Sequence, residues 1–190
     1  MKANSAQTKC GEIEVAIETR EGVFIATYSE RGLCGLSFPS TKNSAQLAAN
    51  TSQLPPRMLT WHNETIGALH DALAGKTPKD LPPLDLSIGT EFQRSVWRTL
   101  QKIKCGETWS YGDVAKAIGN PKAVRAVGGA CGANPIPVFV PCHRVLAANH
   151  KLGGFSSGLP WKIKLLDLEQ SFFAPFLGGK CTLSTVEGHQ

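Results

Sequence analysis

The sequence predicts an α+β protein: a small N-terminal antiparallel sheet with one helix, then a mostly helical, winged-helix-like part that carries a helix-turn-helix. Three observations predict it. Residues 13–38 hold three short runs rich in apolar residues, separated by Gly-containing turns, as in a β-meander. Residues 58–74 and 90–103 repeat apolar residues at three-and-four spacing, as amphipathic helices do. Between Ser110 and Gly132, two short helical patterns meet at Gly119-Asn120-Pro121, a tight corner that many helical proteins also contain. The Pro-rich connector from Thr77 to Leu86 divides the chain into an N-terminal sheet-plus-helix domain over 1–87, a second domain over 88–170 and a tail over 171–190.

In order, Glu12–Ile17 alternates with Ile13, Val15 and Ile17 on one face. Arg20-Glu21-Gly22 turns into Val23–Tyr28, and Glu30-Arg31-Gly32 turns into Leu33–Phe38. Residues 39–56 are small and polar up to Pro55-Pro56, which predicts a loop with one helical turn. Met58, Trp61, Leu69 and Leu73 stripe a helix that Gly75 closes. Thr90-Glu91-Phe92-Gln93 has capping-box form, and Phe92, Val96, Leu100 and Ile103 continue its helix until Cys105-Gly106. Ser110 caps a helix over Tyr111–Ile118, stopped by Gly119.

A third helix is predicted to start near Lys122, with Val124, Val127 and Cys131 toward the core. Another face carries Arg125, Gly128 or Gly129, and Gly132. Each helical glycine costs about 0.5–1 kcal/mol against alanine, so several on one face need a reason. Either a foreign backbone or groove approaches the helix there, or the helix packs closely against its own protein. Val138-Phe139-Val140 reads as a brief buried strand or extended segment. After the small-residue loop 153–158, Pro160 opens a last helix over Trp161–Gln170, with Trp161, Leu165 and Leu168 or Glu169 on its apolar stripe. By itself Glu169 reads as a solvated carboxylate at the edge of that stripe. The tail from 171 is expected to be peripheral.

Composition, with 42% hydrophobic and 18% charged residues, is that of an ordinary globular chain of 190 residues. A net charge of +5 permits a polyanionic partner without demanding one. The first nine residues lack the apolar core of a signal peptide, and no apolar run approaches the roughly 18 residues of a membrane span. Six scattered cysteines without a CxxC pair are expected to be reduced thiols.

The densest chemistry lies in Asn134–Val145, where Pro141 precedes Cys142-His143-Arg144. Cys10, Cys34, Cys105, Cys131 and Cys181 read as small hydrophobes. Cys142 differs because basic neighbours favour the nucleophilic thiolate. In an extended segment, however, adjacent side chains point to opposite faces. His143 can assist Cys142 only if the backbone turns there or water carries the proton. Two functional classes follow: a cysteine nucleophile whose substrate is delivered by a DNA-binding helix pair, or a helix-turn-helix binding module with a structural Cys-His. A cysteine hydrolase is a third, without a recognisable oxyanion motif.

Pro141-Cys142-His143-Arg144-Val145 resembles the active-site motif of the O6-alkylguanine-DNA alkyltransferases, the methylated-DNA–protein-cysteine methyltransferases. Phe92–Trp97, Gly106–Tyr111, Gly119–Ala130 and Asn134-Pro135 resemble the same family in order and spacing, so the resemblance covers about 88–170. It implies direct reversal of DNA damage, with a flipped O6-alkylguanine giving its alkyl group irreversibly to Cys142, once per molecule. It further implies that His143 deprotonates Cys142 through water, Glu169 holds the imidazole and Asn134 braces the segment. Tyr111 would help rotate the nucleotide and protonate the leaving oxygen. Arg125 would fill the gap in the base stack, beside Gly128 and Gly129 in the minor groove. The backbone of Cys142, Val145 and Ser156 would read the base, with Pro137 and Phe155 lining the pocket.

The implied partner is double-stranded DNA carrying O6-alkylguanine, with O4-alkylthymine left open. The protein would act as a monomer, without metal or organic cofactor, in the cytoplasm or a eukaryotic nucleus. Some relatives hold zinc near the position of Cys34, but four ligands do not assemble here. Cys131-Gly132-Ala133 lacks an arginine common before Asn134, and Ser157 replaces a common glycine, which would narrow the pocket toward small alkyl groups. Alkyltransferase-like proteins, which bind alkyl damage without transfer, lack the cysteine present here.

Overall fold

The computed structural model describes residues 12–40, 51 and 54–170. The expectations for 41–50 and for the tail from 171, together with Cys10 and Cys181, lie outside the described residues. Alternation in the first forty residues produces the predicted meander. Strands β1 (Ile13–Thr19), β2 (Gly22–Ser29) and β3 (Gly32–Ser37) pair antiparallel in the order β1-β2-β3. The turn into β3 needs Gly32, at φ 145, because a Cβ there would sit 2.0 Å from Pro83 O. The Pro-rich connector therefore lies against the sheet, with Leu33 N donating to Pro83 O at 2.8 Å and Asp85 N to Leu33 O at 2.7 Å.

Helix α1 (Pro56–Leu73) buries Met58, Trp61, Ala68 and Leu69. Its buried polar residues are satisfied by the sheet: Tyr28 Oη donates to Thr65 Oγ1 at 2.9 Å and lies 3.2 Å from His62 Nδ1. Helix α2 (Glu91–Leu100) starts at the predicted capping box. It ends before Cys105, because Ile103 N bonds Leu100 O in a tighter turn. A three-residue spacing buries Ile103 in that turn as well as a helix would. Trp97 Nε1 donates to Ala130 O at 2.8 Å and joins α2 to α4 (Val124–Gly132).

Helix α3 (Tyr111–Ala117) carries a second capping box, with Ser110 Oγ accepting from Asp113 N and Asp113 Oδ2 from Ser110 N. Helix α4 starts at Val124 rather than Lys122. Val127, Ala130 and Cys131 face the core, whereas Val124, in the first turn, is 42% exposed. Val138-Phe139-Val140 is buried but forms a turn, with Val138 at φ 80 and Val140 N bonded to Ile136 O. Prolines at 135, 137 and 141 remove the donors a strand would need.

The chain then forms a 3₁₀ turn over Cys142–Arg144 and enters β5 (Val145–Leu146). Strand β5 pairs parallel with β4 (Trp109–Ser110), which seats the α3 cap beside the cysteine turn. Helix α5 (Leu159–Leu168) buries Lys162, Leu165 and Leu166. One hydrophobic cluster joins Val15, Ile17 and Phe24 to Val96, Trp97, Val140 and Leu165. Among the described residues, no helix is long and apolar enough to cross a membrane.

Candidate active site

Asn134 follows α4 and spans the proline-rich turn with one side chain. Its Oδ1 accepts from Ile136 N at 3.1 Å, while Nδ2 donates to Val140 O at 2.7 Å and to Cys142 Sγ at 3.1 Å. Cys142 is 4% exposed and opens the 3₁₀ turn. That turn removes the geometric objection raised by an extended segment, since successive side chains no longer alternate between two faces.

His143 is 1% exposed, and its Nε2 lies 2.9 Å from Glu169 Oε1. Arg144 grips the same carboxylate through Nε at 3.0 Å to Oε2 and Nη2 at 2.8 Å to Oε1. Its Nη1 donates to Ile103 O at 2.6 Å. Burial alone would raise the Glu169 pKa, but hydrogen bonds and charge from His143 and Arg144 carry it down to about 2. Burial lowers the His143 pKa against the pull of Glu169. At neutral pH the pair is an ionised carboxylate accepting Nε2–H from a neutral imidazole. Nδ1 carries the lone pair, and it has no hydrogen-bond partner among the described residues.

Glu169, read from its own neighbourhood as a solvated carboxylate, is thus a buried acceptor for two side chains. The expectation that basic neighbours favour the Cys142 thiolate is also corrected. Burial pushes the thiol pKa up, and the opposing influences are Asn134 and the charge of Lys162. Arg144 is committed to Glu169. The resting thiol is protonated, so ionisation must be coupled to a base.

Cys142 opens on a cavity of about 210 Å³ lined by Tyr111, Gly128, Cys131, Gly132, Gly154 and Phe155. Burial, with both thiols nearby, raises the Tyr111 pKa and keeps its phenol a donor. The ring rests on Gly153, whose Cβ would lie 3.0 Å from Tyr111 Oη. Phe155 lines the same cavity, its ring centroid 5.9 Å from that of Phe38, which in turn lies 4.7 Å from Trp161. Pro137, Ser156 and Ser157 line a neighbouring cavity of about 410 Å³ together with Asn134 and Phe38. Val145 is buried, and its carbonyl accepts from Lys162 Nζ at 2.6 Å.

The glycines of α4 lie on an open outer face. A Cβ on Gly129 or Gly132 would meet nothing within 4 Å, and one on Gly128 only Tyr111 Cε1 at 3.9 Å. Close packing against the protein itself therefore does not require them. Arg125 is exposed on the same helix. Among the described residues, no group of three or more His, Cys, Asp or Glu could hold a metal ion. Cys34 Sγ donates to Thr27 O at 3.3 Å.

The sequence reading missed three contributors. Arg144 clamps Glu169, Cys131 shares the cavity, and the buried Lys162 bonds the carbonyl of Gly154, which lines it. Only Lys162 carried a local signal: it precedes Leu165 and Leu166 by three and four residues, on the core-facing stripe.

Residues 91–171 match the family described as "6-O-methylguanine DNA methyltransferase, DNA binding domain". The chain is 41% identical over 160 residues to an Acanthamoeba polyphaga mimivirus protein named "Probable methylated-DNA--protein-cysteine methyltransferase", covering 84% of this chain and 97% of that one. A Methanosarcina mazei "Methylated-DNA--protein-cysteine methyltransferase" is 60% identical over 83 residues, 44% of this chain and 52% of its own length. Among solved structures, "Crystal structure of Mycobacterium tuberculosis OGT in complex with DNA" superposes with a TM-score of 0.67 at 35% identity, over 82% of this chain and 91% of that one. Similarity along nearly the full length of a relative, with the cysteine turn inside the matched domain, means that the chain belongs to the methylated-DNA–protein-cysteine methyltransferase family.

Proposed function

We propose that this protein repairs DNA by direct reversal, moving the alkyl group of an O6-alkylguanine in duplex DNA to Cys142 Sγ. The observation that carries this reading is a thiol held by Asn134 at the wall of a cavity, on the same turn as a His143 bonded to the buried Glu169. A stacked base hides its O6 substituent from a thiol buried this deeply, so the nucleotide must be extruded, at a cost of a few kcal/mol. Arg125 fills the space the nucleotide leaves, and the glycine face of α4 lets the helix enter the minor groove. Phe155 and Pro137 flank the extruded base, and backbone groups of Cys142, Val145 and Ser156 read it.

His143 Nδ1 takes the Cys142 proton with a water as relay, and Glu169 stabilises the imidazolium that forms. Asn134 Nδ2 donates to the thiolate and holds it in line. The S–C bond forms as the C–O6 bond breaks. Its electron pair passes to guanine, and Tyr111 supplies the proton to the departing oxygen. No metal or organic cofactor is needed for this step. The product is a thioether without a hydrolytic route back, so each monomer acts once.

Incubation with O6-methylguanine duplex DNA is expected to add one methyl group per protein molecule, and peptide mapping to place it on Cys142. Absence of the adduct, or its placement elsewhere, overturns the assignment; damage binding without transfer would give affinity with no mass change. Arg125→Ala is expected to slow duplex repair roughly tenfold or more, the equivalent of losing 1.4 kcal/mol from an extrusion that costs a few. Reaction with free O6-benzylguanine should hardly change. Equal losses on both substrates would remove Arg125 from the extrusion step.

A further inference from the structure

We propose that Gly75, in the turn that ends α1, is a positioning residue for this reaction: it seats the end of α5 and so holds the Glu169 carboxylate against His143. The inference deepens the alkyl-transfer reading above and rests on it.

Glu169 is the first residue beyond α5, and its N donates to Leu165 O at 3.1 Å. Gly75 lies against that helix end. A Cβ on Gly75 would stand 2.1 Å from Leu168 O, 3.0 Å from Leu168 C and 3.8 Å from Glu169 N. Backbone meets backbone here, with no flexible side chain to give way. The turn after α2 joins the same seat. Cys105 Sγ donates to Gly75 O at 3.7 Å, and a Cβ on Gly106 would lie 3.5 Å from Glu169 O. Two residues before Cys105, Ile103 O accepts from Nη1 of Arg144, the guanidinium that grips Glu169. The turns after α1 and α2 thus lie against the backbone of Leu168 and Glu169, while Arg144 and His143 hold the carboxylate.

Gly75 is also a helix-ending glycine of the usual kind. It follows the α1 C-cap Ala74 at φ 72, and its N donates to Ala72 O at 3.1 Å. Gly119 does the same for α3, following the C-cap Ile118 at φ 75 with its N donating to Lys116 O at 2.9 Å. A Cβ on Gly119, however, would meet nothing within 4 Å. Alanine at either position carries the cost of left-handed backbone, and only at 75 does it also collide. The ordinary contact distance is about 3.5 Å, so the turn and the end of α5 would have to part by about 1 Å or more. The 2.9 Å between His143 Nε2 and Glu169 Oε1 leaves little room for that. Bonds of this kind extend only to about 3.2 Å.

The test compares Gly75→Ala with Gly119→Ala in the full chain. It measures single-turnover transfer from free O6-benzylguanine, and NMR of the His143 ring nitrogens before reaction. The free base bypasses duplex binding, so the place of Gly119 in the helix-turn-helix does not enter. Gly75→Ala is expected to slow transfer roughly tenfold or more, as misplacing a reacting group by about 1 Å does. It should also shift His143 away from its Nε2–H tautomer. Gly119→Ala should lose similar stability to urea, with rate and tautomer close to wild type. Equal rates in the two variants, or a slow Gly75→Ala with the His143 signal in place, overturn the proposal. If Gly75→Ala does not fold, a chain with one extra glycine between Gly75 and Lys76 loosens the seat without a collision. It should show the same loss of rate and tautomer, and wild-type values there overturn the proposal. The His143 signal is read without any alkyl donor, and methyl mapping on wild-type protein tests the transfer reading separately.

Discussion

Cys142→Ala is expected to abolish alkyl transfer completely while the folded chain still holds alkylated duplex DNA. The two effects separate because the thiol is the only group the proposed chemistry consumes, whereas the exposed Arg125 and the open face of α4 lie outside it. The fold should tolerate the change. Asn134 Nδ2 keeps its 2.7 Å bond to Val140 O when the sulfur is gone. The loss is that of a small buried side chain, on the order of 1–2 kcal/mol. Cys131 lines the same cavity but is not an equivalent acceptor. Burial raises its pKa to about 12, and the Asn134 Nδ2 bond is made to Cys142 Sγ. Intact mass and fluorescence anisotropy on one methylated duplex check both halves. An adduct on Cys131 in the variant would show that position in the cavity, rather than the Asn134–His143 setting, makes a thiol reactive.

What was legible in the sequence was local. The capping boxes at Thr90 and Ser110, the Gly-punctuated meander and the apolar stripe of α1 depend on residues a few positions apart, and each formed where its pattern stood. The Val138–Val140 run was misread because length and hydrophobicity do not separate a strand from a buried turn, whereas the prolines around it do. The charge state of the site was not legible. It depends on Arg144 reaching Glu169 across 25 positions and on the burial of Cys142, which raises its pKa. A positively charged neighbour in sequence turned out to be neutralised in space. For the α4 glycines, the sequence posed two alternatives that only the empty volume beside each Cα could separate.

Glu169→Gln is expected to weaken both the reaction and the fold, with a distinctive pH signature. The carboxylate fixes the Nε2–H tautomer of His143 and supports the positive charge the imidazole must take on. An amide supports that charge poorly, so single-turnover transfer should fall about 100-fold or more, as when a general base loses its orienting acid. Stability follows from linkage. The folded-state pKa of about 2 lies below the ordinary 4.5, so the unfolded chain binds this proton more readily. The resulting stabilisation is fully present above that ordinary value and is lost as pH falls through the window down to about 2. Its size is on the order of 3 kcal/mol. Asp85, lowered to about 2 by hydrogen bonds from Ser29 and Ser87 and by Arg31, titrates in the same window and keeps a residual slope in the variant. Urea denaturation followed from neutral pH into acid should therefore show the wild-type protein losing stability more steeply than Glu169→Gln. Removing the anion also leaves the Arg144 guanidinium with a neutral partner in a largely buried setting, so the variant should be less stable at neutral pH by several kcal/mol. If the acid slopes coincide, Glu169 does not carry the charge assigned to it, and the low-lying carboxylate on which the His143 tautomer depends has to be abandoned.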